Sequence, residues 1–209
     1  MLPLADAIDV TRTGDIWLFR GSSTADKVIR TFTNAPVNHV GMAVVLEDLP
    51  PLMWHAELGQ SLPDMWSGKH QRGVQLHDLR DAVLTWSNRY GQQAWFRQLC
   101  WPLDGPATDE VEGTVLTTIA RLDGTPFPTT AQLAGGWMRA RLPGARRAGK
   151  TPAETAFCAD VLARTYQAMG VLGTHRPAAF YDPGSFWSGD DVLLEPGWSL
   201  GPEIAVDVS

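Results

Sequence analysis

Two stretches of this 209-residue chain, Val40 to Leu46 and Leu52 to Glu57, alternate apolar residues with small or polar ones, and a short link rich in acid and proline separates them. A period of two is what a strand shows when one of its faces lies in a core. Together the stretches read as a hairpin. Val40, Met42, Val44 and Leu46 share one face of the first arm, and Leu52, Trp54 and Ala56 one face of the second. The opposite faces carry His39, Gly41 and Ala43 on one arm and Met53, His55 and Glu57 on the other. One side is a core layer; the other is small and polar.

Turn length decides which polar residues meet. In an antiparallel pair with an odd-numbered turn, His39, His55 and Glu57 fall on one face. A three-residue turn sets His55 opposite Gly41 and diagonal to His39, at about the 7–8 Å expected of diagonal positions. A five-residue turn puts Glu57 there instead, and an even-length turn breaks the arrangement.

The rest of the chain supplies elements to pack on that hairpin. Gly14-Asp15 is a turn feeding Ile16 to Phe19, an apolar run typical of a strand buried on both faces. Ser23 or Thr24 caps a helix over Ala25 to Phe32. The loop from Glu57 to Arg72 is long enough to be a lid or substrate rim. Gly73 to Leu76 reads as a strand, Asp78 as the cap of a helix running to about Trp86, and Ala94 to Trp101 as another strand. Acids in its first turn mark a helix from Asp109 to about Leu122. A further helix is expected over Gln132 to Leu142, followed by a basic loop from Pro143 to Lys150.

Thr151-Pro152-Ala153-Glu154 has the form of a capping box and, taken literally, starts a helix at Pro152. Cys158, Val161, Leu162, Thr165 and Met169 recur on one stripe of it before Gly170 ends it, so the cysteine faces inward. A last strand is expected at Glu203 to Val208. The expectation is one α+β domain over residues 1–209, with insert loops at 57–72 and 143–150.

Composition narrows the function classes. A net charge of -6 and a pI near 5.3 argue against general nucleic-acid binding, which needs a basic face. Two cysteines make no disulfide framework. Met1 to Thr13 carries Asp6 and Asp9 and no basic segment leading into an apolar run, and nothing approaches the roughly 20 apolar residues of a membrane helix. A cytoplasmic protein without a transmembrane segment is expected.

A thiol becomes a useful nucleophile when an imidazole or a helix N-terminus stabilises the thiolate, and a third polar group orients the imidazole. Cys158, His39 and His55 suit these roles in that order, with Glu57 as the alternative orienting residue. The same cysteine on an apolar stripe is also what a small buried hydrophobe looks like. Cys100, in a strand among tryptophans, reads as packing. A zinc site of His39, His55 and a cysteine lacks any close-spaced ligand pair. His70, His77 and His175 sit in loop-like or helix-start contexts and read as solvated. No cofactor or metal is expected. Trp54, Trp66 and Trp187 are either core or the lining of an apolar acyl or ring pocket.

"GDIWLF", "NHVGMAVV" and "LMWHAE" resemble the characteristic strands of NlpC-type papain-like cysteine peptidases. The matching cysteine segment, "FCADVLARTYQAMG", comes last rather than first. That order resembles the circularly permuted branch containing the YiiX-like and the lecithin:retinol acyltransferase-like proteins. The likeness covers Gly14 to Glu57 and Gly124 to Gly170 and implies a permuted papain-like α+β fold. It also implies Cys158 as nucleophile, His39 as base and His55, rather than Glu57, as the third residue, with the cysteine at the start of its helix. Cys158-Ala159-Asp160-Val161 stands closer to the YiiX-like pattern than to the acyltransferase pattern. The implied activity is a cysteine-dependent hydrolase, an amidase, peptidase or esterase working through a thioester, on a small-molecule, peptide or lipid-like acyl substrate. Its neighbours are acyl transfer and a non-catalytic binding module on the same scaffold.

Overall fold

Residues 1–21, 36–57, 59, 61–106, 108–126, 153–188 and 192–208 are described by a computed structural model. The expected helices at 25–32 and 132–142, the basic loop at 143–150 and the first two residues of the capping box lie outside them.

In chain order the elements are β1 (Leu2–Pro3), α1 (Leu4–Asp9), β2 (Ile16–Arg20), β3 (His39–Val44), β4 (Leu52–Glu57), β5 (Gly73–Asp78), α2 (Leu79–Tyr90), β6 (Gln93–Arg97), β7 (Leu99–Cys100), α3 (Thr108–Leu122) and α4 (Ala153–Ala168). Two 3-10 turns, Ala178–Phe180 and Pro183–Phe186, precede β8 (Ser199–Leu200) and β9 (Ile204–Asp207). Seven strands form one sheet in the order β1-β9-β6-β2-β3-β4-β5, and β7 and β8 form a separate pair. Every pairing is antiparallel except β1 with β9.

The apolar run of β2 takes the middle of the sheet, where both of its faces are covered. Ile16 and Leu18 join a core with β3, β4 and β5 residues of even number and with Val111, Val115 and Ile119 of α3 and Phe157, Val161 and Leu162 of α4. Trp17 and Phe19 point the other way, into a core with Leu4 and Ala7 of α1 and Leu79, Ala82, Val83 and Trp86 of α2. The molecule is therefore a mixed α+β domain, a mostly antiparallel sheet with helices on both faces. Each fully buried large apolar side chain contributes on the order of 1.5–3 kcal/mol, and Trp17, Phe19, Ile16 and Leu18 are all wholly buried.

Local signals explain the element ends. The Asp78 carboxylate accepts the Asp81 N–H, capping α2, and Gly91 ends that helix with φ 62°. The helix runs a turn beyond Trp86, to Tyr90. The strand expected over Ala94 to Trp101 is broken at Gln98 into β6 and β7, because Leu99 N–H turns away to the Asp15 carboxylate. Cys100, expected to be packed, is exposed at the end of β7. Among the described residues no helix is long and apolar enough to cross a membrane.

Candidate functional site

The hairpin register resolves the first open choice. Met42, Ala43 and Val44 pair with Trp54, Met53 and Leu52. Extending that register sets His55 opposite Gly41 and diagonal to His39, the arrangement of the three-residue turn. Glu57 instead pairs with Gly73, and its carboxylate accepts from Ser61 N and Oγ, at 3.4 and 2.6 Å.

A third histidine joins them. β4 pairs with β5 so that His55 faces Gln75 and Met53 faces His77. His39, His55 and His77 thus step diagonally across three adjacent strands, two residues per strand, all on the face that meets α1 and α2. His39 Nε2 lies 3.2 Å from His55 Nδ1, and His55 Nε2 lies 3.0 Å from His77 Nδ1. Both are hydrogen bonds with one proton shared between two ring nitrogens. His77 was expected to be solvated at a helix start. It is instead a wholly buried β5 residue, because the strand continues two residues past Leu76. Its alternation with Gln75 and Gly73 was the available signal.

Trp86 of α2 roofs the row. Its ring stands edge-on to His39 at 4.7 Å and to His55 at 4.8 Å between centroids, with Phe19 at 4.6 Å. His55 and His77 are buried, and His39, the last member, is half-buried at the strand mouth. Burial, then the charge of His77, lowers His39 from 6.5 to about 3. Burial also pulls His55 well below its usual value and lowers His77, with the Glu57 and Asp64 carboxylates and the Leu62 carbonyl pulling His77 back up. At neutral pH all three rings are neutral.

Cys158 reaches the same strand from the other side. It is the sixth residue of α4, so it does not open the helix as the resemblance implies. Its side chain lies in the core layer with Val40, Met42 and Trp54. The Ala43 N–H bonds to the Asp15 carbonyl, toward β2, so by alternation the amides of even-numbered β3 residues point toward β4. The β3–β4 pairing begins only at Met42, and the Val40 N–H is given to the Cys158 sulfur. The sulfur is therefore held where β3 and β4 part, beside the residue that follows His39. Burial pushes the thiol up from 9.0 to about 12, against the pull of the Val40, Ala159 and Cys158 amides.

The space left by the missing side chain of Gly41 is filled by the second arm of the hairpin. A Cβ there would meet Met53 Sδ at 2.3 Å and His55 Cβ at 3.3 Å. The glycine lets the second arm close under His39, while α4 packs on the opposite face.

The three tryptophans stand in separate settings. Trp54 is buried and donates from Nε1 to Thr165 Oγ1 at 3.0 Å, tying β4 to α4. Trp187 stacks edge-on with Trp95 at 5.4 Å, with the Arg20 guanidinium beside both rings. Trp66 is 72% exposed, on the loop before β5. That loop is pinned: buried Asp64 accepts from Leu76 N and Ser67 N, and Met65 N–H donates to the Leu76 carbonyl. It covers the open edge of β5, a common way to protect an edge strand. His70 and His175 take no part in the histidine row.

Among the described residues no group of three or more histidines, cysteines or carboxylates is arranged to hold a metal ion. The histidine nitrogens explain this, since each inner one is turned to its neighbour in the row.

A row of neutral imidazoles thus lies on one face of the sheet, and a buried thiol on the other, held by the amide of the residue that follows His39. The fold is similar to that in a crystal structure of the metalloprotein YiiX from Escherichia coli O157:H7, with a TM-score of 0.49 and 15% identity, over 93% of this chain and 98% of that one. No protein-family model and no curated protein matches the chain.

Proposed function

We propose that the chain is a cysteine-dependent acyl hydrolase, an amidase, peptidase or esterase of the permuted NlpC-type papain-like kind, with Cys158 as nucleophile, His39 as base and His55 as orienting residue. The observation that carries it is the hydrogen bond between His39 and His55 at the strand mouth, one residue before the amide that holds the Cys158 sulfur.

The resting pair is a neutral thiol and a neutral imidazole, so the proton moves during attack. His39 Nδ1 takes the proton as sulfur bonds to the carbonyl carbon, whose oxygen becomes the oxyanion of a tetrahedral intermediate. Collapse expels the amine or alcohol with the proton returned by His39 and leaves a thioester on Cys158. Water, deprotonated by His39, then attacks the thioester, releasing the acid and restoring the thiol. An alcohol or amine in place of water gives acyl transfer by the same route.

The test uses p-nitrophenyl butyrate with the full chain. Hydrolysis should fall by about 100-fold or more in Cys158→Ala and in His39→Ala, the loss usual for a nucleophile or its base, and stay unchanged in Cys100→Ala. Mass spectrometry of the quenched reaction should find the butyryl group on Cys158. Turnover that persists in Cys158→Ala overturns the reading.

A further inference from the structure

The two nitrogen-to-nitrogen contacts of the histidine row constrain each other. A neutral imidazole carries one N–H, so a ring that donates at one nitrogen must accept at the other. His55 sits between two partners, and its tautomer fixes both. Only two arrangements satisfy the row. Either all three rings carry the proton on Nε2, or all three carry it on Nδ1.

The far end decides between them. His77 Nδ1 faces His55, so its remaining nitrogen is Nε2, which is buried and has no hydrogen-bond partner among the described residues. Burial, the largest effect, and the charge of His70 keep this ring neutral, while Glu57, Asp64 and the Leu62 carbonyl surround it with negative charge. The negative field of a carbonyl and two carboxylates around this ring favours an N–H over a lone pair at its free nitrogen. The near end makes the opposite demand, since His39 serves as a base only if Nδ1 is unprotonated.

We propose that His77 is a positioning residue that sets the tautomers of the whole row: protons on Nε2 of His77, His55 and His39, and a lone pair left on His39 Nδ1 at the strand mouth. His77 acts through His55 and touches no reacting group. The proposal rests on the reading of His39 as the base of the site, but the tautomers can be observed without any turnover.

The experiment is long-range nitrogen–proton correlation spectroscopy on the 15N-labelled full chain at pH 7, with ring signals assigned by comparison with His39→Ala and His77→Gln. Wild type should show the Nε2–H form for all three rings. His77→Gln should keep His39 in that form, because the amide oxygen accepts from His55 while its NH2 faces Leu62. His77→Phe removes the acceptor and should give a mixture at His39. Acylation of Cys158 by p-nitrophenyl butyrate should slow in proportion to the lost Nε2–H fraction, roughly twofold for an even mixture. An Nδ1–H form of His39 in wild type overturns the proposal, and that spectrum decides even if His77→Phe fails to fold. An Nε2–H form of His39 that is unmoved in a folded His77→Phe overturns it too. If Cys158→Ala keeps its turnover, the nucleophile reading falls while the spectra still judge His77.

Discussion

The two faces of the central sheet are built on opposite plans, though the same strands supply both. Toward α4, β3 and β4 present Val40, Met42, Val44, Leu52, Trp54 and Ala56, a dry layer whose polar contacts are few: Trp54 to Thr165, and the Val40 amide to the Cys158 sulfur. Toward α2, the alternate residues present a line of imidazoles under the Trp86 ring. A polar network under an aromatic roof holds only if each member is satisfied by the next. Volume-conserving apolar exchange should therefore be better tolerated on the thiol face than on the histidine face, whose geometry is set by hydrogen bonds as well as volume. The two plans come together at the parting of β3 and β4, where His39 and the amide of Val40 are neighbours in sequence.

Removing the roof should separate the two plans most strongly. Trp86→Ala deletes a ring that touches His39, His55 and Phe19, and truncating a buried tryptophan costs about 3–5 kcal/mol. With water admitted to the row, the histidine pKa values should rise toward 6.5. Urea unfolding measures the first effect and titration of the histidine ring signals the second. A rise in the pKa values is the sharper check: if the imidazoles stay depressed, something other than this roof keeps them dry.

Gly41→Ala probes the same face from within the sheet. The new methyl would overlap Met53 Sδ and press on His55 Cβ, a crowding that typically costs about 1–3 kcal/mol. Because His55 must move, the His39 to His55 bond should weaken along with stability, which an upfield shift or exchange broadening of the shared ring proton would register. A stability loss with an untouched ring proton would mean that Met53 alone absorbs the methyl.

Much of this arrangement was legible in the residues. Strand parity placed His39 and His55 together on the polar face of the hairpin, and the apolar run at Ile16 to Phe19 announced a central strand. The choice between His55 and Glu57 depended on how β3 and β4 pair around the turn, which alternation cannot report. His77 was missed for a related reason. Asp78 is a strong helix cap, and the residue before a cap reads as a turn unless the strand is known to run up to it. The side from which Cys158 arrives was hidden as well. A helix stripe says that a cysteine faces a core, and here there are two cores, one on each side of the sheet. Composition carried no sign of the pairing between Asp64 and β5 that turns a long loop into an edge cover.

The smallest expected effect concerns protons and distinguishes the faces without perturbing the packing much. In the unfolded chain a histidine takes up a proton near pH 6.5, whereas His77 in the folded row resists it. The unfolded state therefore binds more protons below that pH, so the contribution of His77 is fully present above 6.5 and is lost as pH falls. One proton is worth up to about 1.4 kcal/mol per pH unit. Buried Asp15 runs the other way: raised to about 6 by burial, it binds its proton in the folded state first and favours folding as pH falls from 6 toward 3.8. That opposing contribution is common to wild type and His77→Gln, and cancels in their difference. Urea unfolding of both proteins from pH 7 to pH 5 should show His77→Gln gaining on wild type below 6.5, by no more than one proton's slope. Parallel curves would mean that His77 takes up its proton equally well folded and unfolded, and that the acid sensitivity of this face belongs to His55 and His39 alone.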